Sequence, residues 1–555
     1  MRQLFACIAV VLGVLVASAH ADEPICVIPH PQAGKFRAQR DADKPVLAYY
    51  GGVGLRRMPN GTWNGYRQNS AEDVKLLISR LHQSGITRAY ASFQEEAYPS
   101  AIAPPAETQP DYVAIFCDLA HQNNIEVYGD LACFANFEER CRGFVADHPE
   151  AFTRHRDGSA DRHMLSPAYS DVRRFKRSLF MEYVSNYPVD GLALDFIRYP
   201  YYSHDLRVGF GKHGYELPAL RRYQERTGSL ALQVPDETDP RWIAVKADFV
   251  TQFIRELRGD LAASGVSLPL ATFNSATFGR EDSLRTVHQD WLTWERERLV
   301  DEHAPMILMT FGMSNLCNAV GDLVKIPDRK SIVMGPIFLD AGFDAEAGVT
   351  PTPQRIRDAA RRLIKLGCDG LWFCRASEIE THNLWPVVKE ISQWSISEIR
   401  RQEFDPVYEN LLENGSFDAG LDGWTRAGTA QIDVGDGVTL RPDAGAPVEL
   451  SQAVRFVQHP YLAVHALEMR LRGGGAAVAR GAVVALSLEY VDGHTAEHVF
   501  GSADFVSNQL KQNVAVECDF QRRVLKRATV KVVVPAGTAA WQVQSVELFR
   551  DPRDR

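Results

Sequence analysis

Long apolar runs are missing from the body of this chain. After the segment 4–17, no stretch approaches the roughly 18 to 20 consecutive apolar residues that a membrane-crossing helix needs, so no membrane span is expected. A basic excess is missing as well. The 61 Lys and Arg stand against 70 Asp and Glu, a net charge of −9, which excludes an overall positive field for gripping nucleic acid or an anionic membrane. Cysteine is scarce, with 9 in 555 residues, and none falls in the close Cys-x-x-Cys pairs of a structural zinc site. His155 and His163 flank a polar loop and read as solvated side chains rather than metal ligands. No metal and no cofactor is therefore expected.

What is present is ordinary for a globular protein: 45% hydrophobic, 24% charged and 10% aromatic residues. At roughly 100 to 200 residues per domain, the length points to more than one domain. The first residues read as an export signal. Arg2 precedes the apolar run, and Ala19-His20-Ala21 supplies the small-x-small pattern that signal peptidase accepts, so cleavage is expected after Ala21 and a secreted or periplasmic location follows. Losing Arg2 would take the net charge of −9 to −10. Among the cysteines that remain, Cys133 and Cys141 are the local pair expected to form a disulfide.

From residue 45 to about 395, short β-branched and aromatic runs alternate with helical periodicity, the pattern of βα units around a parallel sheet. One helix is legible in full. Ser70 is an N-cap with Asp73 three residues on, Val74, Leu77, Ile78 and Leu81 repeat at i, i+3, i+4 and i+7, and Gly85 closes the helix. Strand candidates lie at 46–50, 86–92, 125–131, 191–196, 268–273, 306–310, 332–338 and 370–374. Eight such units fit an α/β fold of the (β/α)8 TIM-barrel type, which places the chemistry at the C-terminal ends of the strands.

The segment Val189-Asp190-Gly191-Leu192-Ala193-Leu194-Asp195-Phe196-Ile197-Arg198-Tyr199-Pro200 is the most informative. Strand alternation puts Leu192, Leu194 and Phe196 on one face and Gly191, Ala193 and Asp195 on the other. The second face is two small residues topped by a carboxylate, which is costly to bury without a use or a partner. This segment resembles the DGIHLDYIRYP signature of the glycosyl-hydrolase-like TIM barrels, specifically their tenth family. Leu165-Ser166-Pro167-Ala168 with Asp171-Val172-Arg173, and Gln289-Asp290-Trp291 through Leu299-Val300-Asp301 to Pro305-Met306, resemble two further segments of that family. Here Ala193 replaces the usual His and Phe196 the usual Tyr. The resemblance implies a barrel acting on a polysaccharide or oligosaccharide.

Glycoside hydrolysis needs two carboxyl groups. Asp195 fills one role. For the second, Asp340 at the end of the seventh strand is the first candidate, with Glu378 after strand eight, Asp130 at the end of strand three, and Glu95 and Glu96 after strand two left open. Arg198 and Tyr199 are expected to line the mouth, and Trp372 and Arg375 to contact substrate. A structural Asp195–Arg198 contact explains the arginine equally well.

After residue 400 the periodicity changes to short alternating strands. Leu411-Leu412-Glu413-Asn414-Gly415-Ser416-Phe417-Asp418 and Gly423-Trp424 resemble the opening of β-jelly-roll carbohydrate-binding modules. The expected organisation is a signal at 1–21, a linker at 22–44, the barrel at 45–400, a linker at 401–410 and an all-β sandwich at 411–555. The function expected is an exported glycoside hydrolase. The alternative is a non-catalytic glycan-binding protein with a degenerate barrel.

Overall fold

The computed structural model describes residues 23–550, apart from 65–69, 94–97, 105–109, 137, 201–212, 276–279, 307–312, 340–350 and 404–409, and, in the C-terminal region, 419, 429, 436, 457–463, 465, 475–480, 507–508 and 517–522. The expected signal therefore lies outside the described residues. The chain divides into two compact units that meet in sequence between Glu403 and Phe404.

In the first unit, strands β1 (Val46–Gly51), β4 (Arg88–Ser92), β5 (Glu126–Ala132), β8 (Gly191–Asp195), β9 (Leu270–Ser275), β10 (Glu302–Met306), β11 (Ile332–Phe338) and β12 (Gly370–Cys374) close into one parallel barrel in chain order. Two short hairpins interrupt it, β2 (Arg56–Arg57) with β3 (Trp63–Asn64), and β6 (Phe152–Arg154) with β7 (Ala160–Leu165). The fold is the TIM barrel that the alternating pattern implies. Helix Ala71–Gln83 forms as the sequence dictates. Ser70 accepts from the Asp73 N–H, Val74, Leu77, Ile78 and Leu81 are buried, and Gly85 takes the left-handed φ of +76° just beyond the end.

Interior positions follow the period of two. Ala48, Ala193, Ala271 and Ala304 alternate with Tyr50, Tyr90, Tyr128, Phe273 and Trp372, so small residues on some strands make room for rings from others. Gly191 shows the constraint: a Cβ there would lie 2.7 Å from the Tyr128 ring. Leu192 and Leu194 are fully buried on the opposite, helix-facing side.

The sixth strand corrects the sequence reading. It runs over Glu302–Met306 rather than 306–310, and the charged start explains why apolar patterning misplaced it. Glu302 and His303 are buried because each has a partner: Arg88 donates to Glu302 and, at 2.7 Å, to Glu126, while His303 meets Glu295 at 3.0 Å. These ions sit at the N-terminal end of the barrel strands. The expected Cys133–Cys141 disulfide is also absent. Both thiols are buried and free, with Lys176 Nζ donating to Cys141 Sγ at 3.5 Å.

The second unit is a β-sandwich of two antiparallel five-stranded sheets. One has β13 (Thr425–Ala427), β16 (Val448–Arg455), β21 (Leu525–Val534), β18 (Val483–Tyr490) and β19 (Thr495–Gly501); the other has β14 (Ala430–Gly435), β15 (Gly437–Pro442), β22 (Trp541–Arg550), β17 (Ala466–Gly474) and β20 (Gln509–Ala515). The opening motif is architectural. Asn414 Nδ2 donates to the Gly420 and Asp422 carbonyls, Trp424 Nε1 donates to the Asn414 carbonyl, and Phe417 is fully buried in the shared core. Gly415 has no room for a Cβ, which would meet the Val546 carbonyl oxygen at 2.2 Å.

Candidate active site

Asp195 is the last residue of β8 and points into the barrel mouth, as the alternation requires. Tyr50, at the end of β1 on the far side of the barrel, donates its hydroxyl to Asp195 Oδ2 at 2.7 Å, and the Phe196 N–H donates to Oδ1 at 2.7 Å. The second bond is made possible by the backbone. Phe196 takes φ +46°, in the left-handed region that a bulky residue enters at a cost of about 1–3 kcal/mol, and so folds its amide back onto the preceding carboxylate. Burial raises the Asp195 pKa, opposed by the Tyr50 hydroxyl, the Phe196 amide and the Arg198 charge.

Asp130 lies two residues before the register position of Asp195 on the neighbouring strand: Asp130 pairs Ala193, and Ala132 pairs Asp195. Both carboxyls therefore face the interior side by side. Asp130 is fully buried, and among the described residues neither of its oxygens meets a hydrogen-bond partner of full geometry. Ser92, opposite it on β4, gives partial relief. Burial first, and the neighbouring Asp195 charge second, push its pKa well above the usual carboxylate range. Two carboxyls in one apolar pocket cannot both ionise easily, and the two donors at Asp195 favour its charge over that of Asp130.

Gln289 holds this corner in place. Fully buried, it donates through Nε2 to the carbonyls of Ile197 and Phe273 and accepts from the Ser275 N–H and the Ser283 hydroxyl. The Gln-Asp-Trp segment thus ties the exit of β8 to the end of β9, and Asp290 caps the helix Trp291–Arg296 that follows.

The other sequence candidates fall in different places. Asp340, Glu95 and Glu96 lie outside the described residues. Arg375 is half-buried directly after β12, and Glu378 is half-buried on helix Ala376–Thr381, 3.8 Å from His382. Arg198 stacks over the Phe196 ring at 4.8 Å and donates to the Tyr199 carbonyl at 3.2 Å. Trp372 is fully buried and packs edge-on against Tyr50 at 5.8 Å, a wall beneath the tyrosine rather than an exposed platform. Tyr199 turns away from the mouth. Its ring lies edge-on to His288 at 5.2 Å, and its hydroxyl is raised in pKa by burial and by Glu216, with Ser166 and Arg173 opposing. Tyr50 is the residue that sequence reasoning missed. Its signal was the inward alternation Val46, Ala48, Tyr50 at the end of the first strand.

A second polar group gathers beside the β6–β7 hairpin. His155 and His213 form an isolated bridge, their rings 4.4 Å apart, and ligand atoms of His155, Asp161 and His213 all lie within 4.8 Å of one another. The sequence reading took His155 as solvated and found no metal-ligand cluster, because the third member is separated from the other two by the chain that follows β8. Burial, with His155 next, lowers the His213 pKa to about 4.

Residues 89–322, which carry both aspartates and Gln289, match the family model described as Glycosyl hydrolase-like 10. Similar solved structures include the catalytic domain of beta-amylase from Paenibacillus polymyxa, 12% identical, covering 64% of this chain and 99% of that one, with a TM-score of 0.47. The PgaB (BpsB) glycoside hydrolase domain from Bordetella bronchiseptica is 14% identical, with 63% and 99% covered and a TM-score of 0.47. Comparison with curated proteins finds no match. Among the described residues no helix is long and apolar enough to cross a membrane. The chain thus has a TIM barrel, part of which is similar to a glycosyl-hydrolase-like family.

Proposed function

We propose that the protein is an exported glycoside hydrolase acting on a polysaccharide or oligosaccharide, with Asp130 and Asp195 as its working carboxyl pair. The observation that carries this reading is their placement on adjacent strands at the C-terminal end of the barrel, facing inward, with no cation in hydrogen-bond contact with either among the described residues. Asp130, held protonated, donates to the departing glycosidic oxygen. Asp195, beside it on the next strand and steadied by Tyr50 and the Phe196 amide, acts as base or nucleophile. Asp340, Glu378 and Arg375 remain proposals for the rim, as does glycan binding by the C-terminal sandwich. Measuring reducing ends released from a panel of polysaccharides by wild type, Asp195→Asn and Asp130→Asn tests the assignment. Wild-type release with a fall of about 10²–10⁴-fold in each variant is expected; unchanged rates would overturn it. Proton NMR of the first product's anomeric configuration then separates retention from inversion.

One observation favours the second reading, a glycan-binding barrel without turnover. Asp195 is 3% and Asp130 0% exposed, so the pair is sealed from solvent in this conformation. Binding of a polysaccharide with no product release by wild type is the outcome that selects it.

A further inference from the structure

The histidine pair beside the β6–β7 hairpin has no role in the chemistry above. His213 is 2% exposed, yet among the described residues neither ring nitrogen has a hydrogen-bond partner, and the same is true of the buried Nδ1 of His155. An imidazole buried with both nitrogens unsatisfied forfeits about 1–3 kcal/mol per group, so something should fill the space they face. That space contains a carboxylate: Asp161 Oδ2 is 3.8 Å from His213 Nδ1. Asp161 is oriented in turn, its Oδ1 accepting from the His163 N–H at 2.9 Å and facing the His163 ring at 3.0 Å. Two imidazoles and a carboxylate braced from behind are the donor set of a zinc-type ion with a fourth position left for water.

We propose that His155, Asp161 and His213 bind one divalent transition-metal ion of the zinc class. With metal–ligand bonds of about 2.0–2.2 Å, tetrahedral ligands stand roughly 3.3–3.6 Å apart, so separations of up to 4.8 Å need to close by up to about 1.5 Å. Side-chain rotation of His155, which is half-buried on the hairpin, supplies that movement. Lys246 is the neighbouring cation, and it donates through Nζ to the His213 carbonyl oxygen at 3.1 Å, on the backbone side of the residue. The ion would fasten the chain that follows β8 to the hairpin that follows β5. Those two connections leave the two strands that carry Asp195 and Asp130, so the metal acts as a clip on the wall of the mouth. It takes no part in bond cleavage.

The test uses the full-length protein stripped with a chelator and titrated with Zn²⁺ alone and Co²⁺ alone. One equivalent is expected to bind, with Co²⁺ giving the visible absorption of a tetrahedral site. Zn²⁺ affinity should fall at least about 100-fold in His155→Gln with Asp161→Asn, and about 10–100-fold in His163→Gln. His148→Gln, a surface change, should bind like wild type. Far-ultraviolet circular dichroism of the stripped proteins controls for folding, and His155→Gln alone serves if the double variant does not fold. Absence of Zn²⁺ and Co²⁺ binding to wild type, or full-affinity binding in a folded His155→Gln variant, overturns the proposal.

Discussion

The two ends of the barrel interior each bury a pair of carboxyl groups, and they treat them differently. At the N-terminal end, Glu126 and Glu302 share Arg88, whose guanidinium also lies 4.6 Å from the Tyr128 ring. At the C-terminal end, Asp195 has a tyrosine hydroxyl, a backbone amide and the charge of Arg198, while Asp130 beside it has only partial relief from Ser92. The first arrangement sets a guanidinium against its two carboxyls, which opposes the rise that burial imposes on the Glu302 pKa, and is sufficient for a structural role. The second leaves one carboxyl well above its usual pKa, a cost that a purely structural pair has no reason to keep. The contrast separates a brace from a candidate site in a single barrel, with no appeal to cleft size.

Breaking the paired end should have the largest effect. Arg88→Met strands two buried carboxylates and is expected to cost about 3–5 kcal/mol, read as a fall in the denaturant midpoint of the barrel's unfolding. The unpaired end should respond in the opposite sense. Asp130→Asn removes a carboxyl that the fold disfavours in its charged form, so it should raise the melting temperature at pH 8 while cutting turnover by about 10²-fold or more.

The sign of the pH dependence follows from the direction of the shift. A raised folded-state pKa means that the protonated form is favoured by folding, so the contribution is fully present below the ordinary value of 3.8 and is lost as pH rises through the folded value. The stability gap between Asp130→Asn and wild type should therefore widen with increasing pH and shrink toward pH 4. A constant gap would show that the carboxyl is not titrating in the fold. Tyr50→Phe comes next in size. It removes the Asp195 donor while leaving the ring packed, so the lower limb of the pH–rate profile should move upward and turnover fall about tenfold. Tyr199→Phe should have the smallest effect, with turnover unchanged and stability altered by about 1 kcal/mol, because its hydroxyl acts within the Glu216 and Ser166 group.

Legibility in the sequence tracked how local each determinant is. The helix at Ala71–Gln83 was readable down to its cap because periodicity and capping are set within a dozen residues. Seven of the barrel strands lay close to their expected positions. The sixth was displaced because its first residues, Glu302 and His303, look like loop residues until Arg88 and Glu295 arrive from elsewhere in the chain. The inward placement of Asp195 was legible from strand alternation alone. Asp130 stood in the same sequence reading as one of several carboxylates, and nothing local could rank it.

The sequence by itself determined the repeating βα pattern, the inward face of the strand ending in Asp195 and the change to alternating strands after the barrel, because each is a matter of side-chain periodicity. Tertiary structure alone decided which carboxyl stands beside Asp195, that Tyr50 reaches it across the mouth, and that His213 returns to meet His155 and Asp161. These are contacts between distant segments. They depend on strand register and barrel closure, which place residues together through backbone pairing that no single stretch of sequence encodes.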